Sequence, residues 1–535
     1  MTTVADVEVV VIGGGPTGLA LTLDLGRRGI RTVVVDRGLA PLPGVRAGGL
    51  SARMMEHLRR LGVAPILKDV APLQPGWPKS NILTTRLAGH LVGEFTPSET
   101  TLDFLSFAAE MPQNAPSWLV ESAIRGLLVE EPTVETLFGW QFRDDLVDLG
   151  DCVEIGLEGP NGAVRRISAA YVVAADGANS RVRRTAGIEV EGSARFDTRW
   201  TVEFRSVLLR HIMGKGRHNG YNFTNADVSG GVLQQDATSL WTMHFHAIAP
   251  GVDRDPRTLI RLAVGADVPV EWTSELTQWH ANAFSATTLV KGRVLLVGDA
   301  AHAMPPGGYG LHLGNSDAAD LAWRLDAVLR GWGGRTVLDA LDAERLPLGR
   351  AYVGMVDTSG NAPSAPADAE LDTPEGTAVR IAWEAAVREG VVRQMERLAT
   401  SLFDTVGPSP LILRDDTDPL DWSRREEVVP GRRLPHSWLA DGRSLFDVLG
   451  PGFTIVYVDD AAGDAATLLT AARDRGIPTT AVRVDRLDPI TRVALVRPDH
   501  VVAWRSSDAC WDPQHVVAAV VGAAVPVDPA SATLR

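Results

Sequence analysis

Three short stretches carry residue types that could do chemistry together. "GGGPTG" places Gly13, Gly15 and Gly18 in GxGxxG spacing, with Pro16 and Thr17 between them. "ADGANSRVRR" places Asp176 and Gly177 ahead of Ser180 and Arg183. "GDAAHAMPPGGYGLHLG" sets Asp299 before Pro305, Pro306, Gly307, Gly308 and Gly310, with Leu311 and His312 next. In the first stretch Gly13 permits a tight turn and Gly15 lets a pyrophosphate approach backbone N–H groups at a helix start. Gly18 lets that helix pack on its strand. Asp36, with Arg37 beside it, follows about 20 residues on, where a carboxylate can accept the hydroxyls of an adenosine ribose. The combination predicts a bound dinucleotide. The third stretch decides between NAD and FAD. A carboxylate at a strand end can bind a ribityl hydroxyl, and a glycine-rich helix start can face the anionic oxygen of a reduced flavin.

These residues need elements to hold them. "DVEVVVIGGGPTGLALTLDLGRRGIRTVVVDRG" reads strand, glycine turn, helix, strand, a βαβ unit. Its β-branched runs fit parallel strands buried on both faces. "WTVEFRSVLL" and "SLWTMHFHAI" predict strands of a middle antiparallel sheet. After "RVLLV" a long helix is expected from near Asn315. Residues 357–377 are rich in Pro, Ala, Ser and Asp and read as a surface loop or linker, with helix resuming to about 404. The fold class is α/β. A Rossmann-type FAD-binding domain spans 1–190 and 285–356, and a substrate-binding sheet domain spans 191–284 with part of 75–115. Linker and helices fill 357–429, and a third α/β domain spans 430–535.

Composition narrows the partners. The 535 residues carry 52 basic and 66 acidic side chains, a formal net charge of −14, which disfavours nucleic acid and anionic membrane. No apolar run approaches the ~20 residues that span a bilayer. Only Cys152 and Cys510 are present, which excludes a disulfide framework and fits a reducing cytoplasm. Asp6 and Glu8, without an early basic residue, do not read as a signal peptide. No metal-binding tract is visible.

GxGxxG, a central DGxxSxVR and a late GDAAHxxPP, in this order, resemble the FAD-dependent aromatic hydroxylases, the single-component family A flavoprotein monooxygenases. "RAGGLSARMMEHLRRLG" is similar to that family's first helix region, which makes Arg46 the flavin-side residue by resemblance. The last domain, with "LVRPDHVVAWR", resembles the thioredoxin-like domain of phenol and aromatic polyketide hydroxylases. Thioredoxin chemistry needs two nearby thiols, so its expected role is packing or oligomerisation, in a monomer or homodimer.

The resemblance implies hydroxylation of a phenolic or polycyclic aromatic substrate. NADPH or NADH would reduce the FAD transiently, and O₂ would react through a flavin C4a-hydroperoxide. Baeyer–Villiger oxygenation of a polyketide ketone and a non-catalytic FAD-binding protein are the alternatives. The chain departs from the pattern in several places, and PPGGYG lacks the usual spacer between PP and GG. His312 stands where Asn is usual, open to readings as a flavin or substrate contact or as a plain helix-start residue. Ser117 stands where Gln is usual, with Gln113 too early. No Asp follows Arg46 to serve as base. His244 and His246 alternate along "WTMHFH" and share one strand face, which suits either a catalytic base or a polar outer surface. His211, His218 and Tyr221 are weaker candidates.

Overall fold

The structure, a computed structural model, describes residues 5–41, 48–73, 80–304, 309–357, 365–506 and 511–523. One sheet runs in the order Val290–Lys291, Val294–Leu296, Val164–Ala174, Val7–Ile12, Thr32–Asp36, Val134–Phe138. The strands from Val294–Leu296 to Val134–Phe138 are mutually parallel. A hairpin, Gln141–Asp148 with Val153–Glu158, pairs antiparallel onto Val164–Ala174.

The run "VEVVVI" is apolar throughout because both of its faces are covered. Val9 and Val11 pack into one core with Leu19, Leu23, Met54, Val120 and Leu321, so the helices Pro16–Arg27, Ala52–Arg60, Ser117–Leu128 and Tyr309–Arg330 lie on that side. Val10 and Ile12 point the other way, into a core with Val33, Ile155, Val172 and Leu346. Full burial of each such side chain stabilises by ~1.5–3 kcal/mol relative to exposure. The first helix starts on Pro16, whose missing N–H is not needed there, and ends before Gly29 at φ +70°.

The second sheet has nine strands drawn from three chain segments, 81–95, 190–286 and 302–303. It runs His302–Ala303, Thr277–Ala286, Val190–Arg205, Leu240–Ile248, Val228–Gln234, Gly220–Thr224, Asn81–Thr84, Leu91–Phe95, with Glu271–Trp272 on Val190–Arg205. It is antiparallel except where Gly220–Thr224 pairs parallel with Asn81–Thr84, a correction to the expected all-antiparallel sheet. The parallel pair arises because Asn81–Thr84 comes from the earlier segment and need not follow a hairpin. Trp241, Met243 and Phe245 fill its apolar face with Val202, Phe204 and the helix Pro256–Val264.

The long helix begins at Tyr309, six residues ahead of the expected start near Asn315. Gly310 and Gly314 argue against an early start on propensity, but close packing requires them. A Cβ at Gly314 would lie 2.5 Å from Thr17 Oγ1, and one at Gly310 would lie 3.2 Å from Asp299 Oδ1. The segment expected to be loop to residue 377 turns helical at Pro374, and that helix runs to Thr400. The carboxy-terminal sheet runs Thr479–Arg483, Phe453–Tyr457, Val493–Val496, Val502–Ser506, flanked by helices Ala462–Asp474 and Pro513–Val520.

Candidate active site

All three glycine-and-aspartate turns leave the parallel sheet at one edge. Ile12 lies opposite both Val35 and Ala174, and Ala174 lies opposite Leu296. The next residues in each strand are therefore Gly13, Asp36, the Ala175–Asp176 step and the Val297–Asp299 turn. In an open parallel sheet this carboxyl edge is where ligands bind.

The glycines divide the work. Gly13 sits at φ +118°, and a Cβ there would stand 2.1 Å from Ala175 O. A Cβ on Gly18 would stand 2.0 Å from Gly13 O, so helix and turn touch directly. At Gly15 a Cβ would meet nothing within 4 Å, although it caps the first helix. Gly15 therefore marks open space in front of unpaired helix N–H groups, the arrangement that suits a pyrophosphate.

Asp36 accepts from Gly14 N at 2.6 Å and from Gly38 N at 2.7 Å, so its carboxylate shapes the turn as well as facing outward. Arg37 is exposed. Asp176 Oδ2 accepts from Arg181 N at 2.7 Å and Val182 N at 3.2 Å, capping the short helix Arg181–Thr185. Its Oδ1 is buried without a partner among the described residues. Ser180 caps the same helix through Arg183 N, and Arg183 donates to Ala300 O at 2.8 Å, which ties the second turn to the third. Asp299 reaches solvent, yet surrounding protein raises its carboxyl pKa, with His302 opposing.

The third turn is held by a residue the sequence did not single out. Asp317 Oδ2 accepts from Gly298 N at 3.0 Å and bonds His302 Nε2 at 2.6 Å. Its Oδ1 accepts from Arg345 at 2.7 Å. Burial works against this carboxylate, but His302 and Arg345 bring its pKa down to about 2. Asp317, Asp320 and Arg324 lie at i, i+3 and i+7 on an otherwise apolar helix face, and that mismatch was the available signal.

His312 is buried in the first turn of the long helix. Its Nδ1 accepts from Ser51 N at 3.3 Å, and burial lowers its pKa to about 4. Its Nε2 has no partner among the described residues, and the imidazole lines a small cavity, about the size of one water, with Arg53, Ser316, Tyr352 and Asp404. In that cavity burial raises Asp404 to about 6, against the Tyr352 hydroxyl that donates to it at 2.7 Å. Leu311 is partly buried, and Gln113 uses its amide on Leu73 O at 2.8 Å. Arg46, Pro305, Pro306, Gly307 and Gly308 lie outside the described residues.

His244 and His246 do share one strand face, opposite the apolar one. His244 Nδ1 lies 2.8 Å from Thr201 Oγ1, and burial with the charge of Arg199 lowers its pKa to about 4. His246 reaches solvent, and crowding by the same surroundings shifts it in the same direction. Tyr221 points into the apolar core with its hydroxyl on Gly216 O, and His218 bonds Lys215 O and Ser80 Oγ, so neither faces the site. His211 is exposed on a short helix.

The FAD binding domain family matches residues 6–356, and the aromatic-ring hydroxylase C-terminal family matches residues 427–524. Aklavinone 12-hydroxylase RdmE of Streptomyces purpurascens is 30% identical over 95% of this chain and 96% of that protein. A putative polyketide hydroxylase of Streptomyces halstedii is 29% identical over 95% of this chain and 94% of its own. Among solved structures, RebC with bound 7-carboxy-K252c superposes with a TM-score of 0.86 at 27% identity, covering 97% of this chain and 99% of that one. The chain belongs to the FAD-dependent aromatic and polyketide monooxygenases, and its cofactor is FAD. The site fits that cofactor, with open space at Gly15 and an unpartnered buried oxygen on Asp176. Among the described residues no helix is long and apolar enough to cross a membrane, and no group of His, Cys, Asp or Glu could hold a metal ion.

Proposed function

We propose that the chain hydroxylates a phenolic or polycyclic aromatic substrate with NADPH or NADH and O₂. The observation that carries this reading is the convergence of the three turns on one sheet edge. FAD held there would supply hydride acceptance from the nicotinamide and activation of O₂ for transfer to the ring. Gly13, Gly15, Pro16, Thr17 and Gly18 would hold its pyrophosphate and Asp36 with Arg37 its adenosine end. Arg46, Asp176, Asp299, Pro306, Gly308, Gly310 and Leu311 would hold the remainder. His312, with Nδ1 on Ser51 N, would hold the helix start through its imidazole and keep Nε2 for a flavin or substrate oxygen. The nine-stranded sheet would carry the substrate, and the carboxy-terminal domain would pack rather than shuttle electrons.

The protein's own task is to place the ring and exclude water. The polar face of the nine-stranded sheet supports that assignment, because His302 of its edge strand reaches Asp317 in the helix that follows the flavin-side turn. A panel of phenols tested for stimulated NADPH and NADH oxidation, with product mass and NMR, checks the reading. A hydroxylated ring is expected. A lactone or ester product would mean Baeyer–Villiger oxygenation instead, and FAD-loaded protein unresponsive to every phenol would overturn the reaction.

A further inference from the structure

The polar face of the nine-stranded sheet has an orientation set by register. Residues directly opposite one another share a face, and alternate residues along a strand return to it. Ser285 lies opposite His302, whose side chain reaches Asp317 of the long helix. Stepping back by twos along Thr277–Ala286 gives Ala283, Ala281 and Trp279. Trp279 lies opposite Arg199, Thr277 lies opposite Thr201, and Thr201 lies opposite His244. Trp279, Arg199, Thr201 and His244 therefore occupy the face turned toward the FAD-binding unit.

Three of these groups form a directed chain. The indole Nε1 of Trp279 can only donate, and it lies 3.0 Å from Thr201 Oγ1. Thr201 Oγ1 accepts there, and its hydroxyl proton, which has no other acceptor among the described residues, is assigned to His244 Nδ1, 2.8 Å away. An imidazole that accepts at Nδ1 carries its proton on Nε2. Burial and Arg199 keep this ring uncharged near neutrality. Nε2–H has no protein partner among the described residues. Arg199, two residues before Thr201 on the same strand face, acts on the ring through its charge, and its side chain is 7% exposed. One guanidinium nitrogen is 2.7 Å from Asp197, and its Nε is buried and unpartnered among the described residues.

We propose that His244 and Arg199 recognise an oxygen acceptor on the aromatic substrate, with His244 Nε2–H a fixed hydrogen-bond donor and not a catalytic base. This rests on the aromatic-hydroxylase reading and narrows its substrates to rings bearing a carbonyl, carboxylate or phenolate oxygen. A base whose pKa lies near 4 is poorly matched to a phenol proton, whereas a donor held by a two-step chain is well matched to a carbonyl. The Trp279 indole supplies a flat apolar neighbour for such a ring.

Fluorenone and fluorene differ by one carbonyl oxygen and serve as probes. Their binding to the FAD-loaded protein is read from the flavin absorbance difference spectrum. The wild type should bind fluorenone about tenfold more tightly, a margin of one well-made hydrogen bond. His244→Leu should erase that margin with FAD content and melting temperature unchanged, while His244→Gln, which keeps an N–H donor, should retain most of it. Arg199→Met should erase the further gain of a fluorenone carboxylate over fluorenone. Equal affinities in the wild type, no binding of either probe, or a margin that survives in His244→Leu would each overturn the pair. Should the margin behave as expected while no phenol stimulates NAD(P)H oxidation, the reaction reading falls and the recognition pair stands.

Discussion

Two regions bury charged groups around the long helix Tyr309–Arg330, and they do so in opposite ways. At the carboxyl edge of the parallel sheet, polar atoms are left waiting. Asp176 Oδ1 is buried without a partner among the described residues, and Asp299 reaches solvent. At the seam with the carboxy-terminal domain, charges meet charges. Arg497 bonds Asp320 at 2.6 Å, Glu344 at 2.7 Å and Asp499 at 2.6 Å, and its side chain is fully buried. Arg324 reaches Asp320 and Glu344 from within the same helix pair. Arg433 pairs with Glu56, and Arg53 donates to Asp499 O at 2.5 Å. The first region is shaped for a ligand, the second for a permanent joint. The "LVRPDH" stretch therefore works as a structural clamp on the long helix Tyr309–Arg330.

Single substitutions can sharpen that contrast. The largest effect is expected where a side chain meets backbone. Gly13→Val must fit a Cβ 2.1 Å from Ala175 O at a left-handed φ, which should cost more than ~4 kcal/mol and leave little soluble folded protein. Gly15→Val, with nothing within 4 Å of its Cβ, should fold and melt like the apo wild type yet purify colourless. If Gly15→Val kept stoichiometric FAD, the waiting edge would not be the cofactor's place.

At the joint, Arg497→Met removes a buried partner from three carboxylates, leaving Asp499 uncompensated and Asp320 and Glu344 with Arg324 alone, and urea unfolding should show a loss of ~3–5 kcal/mol. Arg497→Lys keeps the charge without the fork and should fall between. A loss below 1 kcal/mol in Arg497→Met would mean that the joint is ornamental.

A smaller effect is expected with pH. The folded pKa of Asp317 is about 2 against an ordinary 3.8, so protonation is disfavoured in the native state. Its contribution, ~2 kcal/mol at 1.36 kcal/mol per unit, is complete above pH ~5 and is lost as pH falls from about 4 to 2. Urea midpoints across that range should slope downward in the wild type and lose part of the slope in Asp317→Asn. Smallest of all should be the thiols. Cys152 is buried in the hairpin region, where burial raises its pKa, so joint replacement of Cys152 and Cys510 by Ser should leave most turnover per folded enzyme.

Much of the carboxyl edge of the parallel sheet was legible because its requirements are local. Gly13 must adopt a positive φ, Gly18 must let a helix touch a turn, and Asp36 must end a strand, so each leaves a residue type at a fixed spacing. The structure reproduces each of these. The polar face of the nine-stranded sheet was only half legible. Alternation along "WTMHFH" put His244 and His246 on one side, but one strand alone cannot say whether that side meets solvent or another domain.

Sequence by itself determined the βαβ unit, the glycine turns and the apolar strands, because each depends on neighbours within about 30 residues. Tertiary structure decided that the three turns meet at one edge, since strands 7–12, 164–174 and 294–296 are adjacent in space but far apart in sequence. It also decided that Asp317 holds Gly298 and His302, that Arg497 clamps Asp320, and which way His244 faces. These are partnerships between distant residues, and a buried charge finds its counter-charge only through the packing of the folded chain.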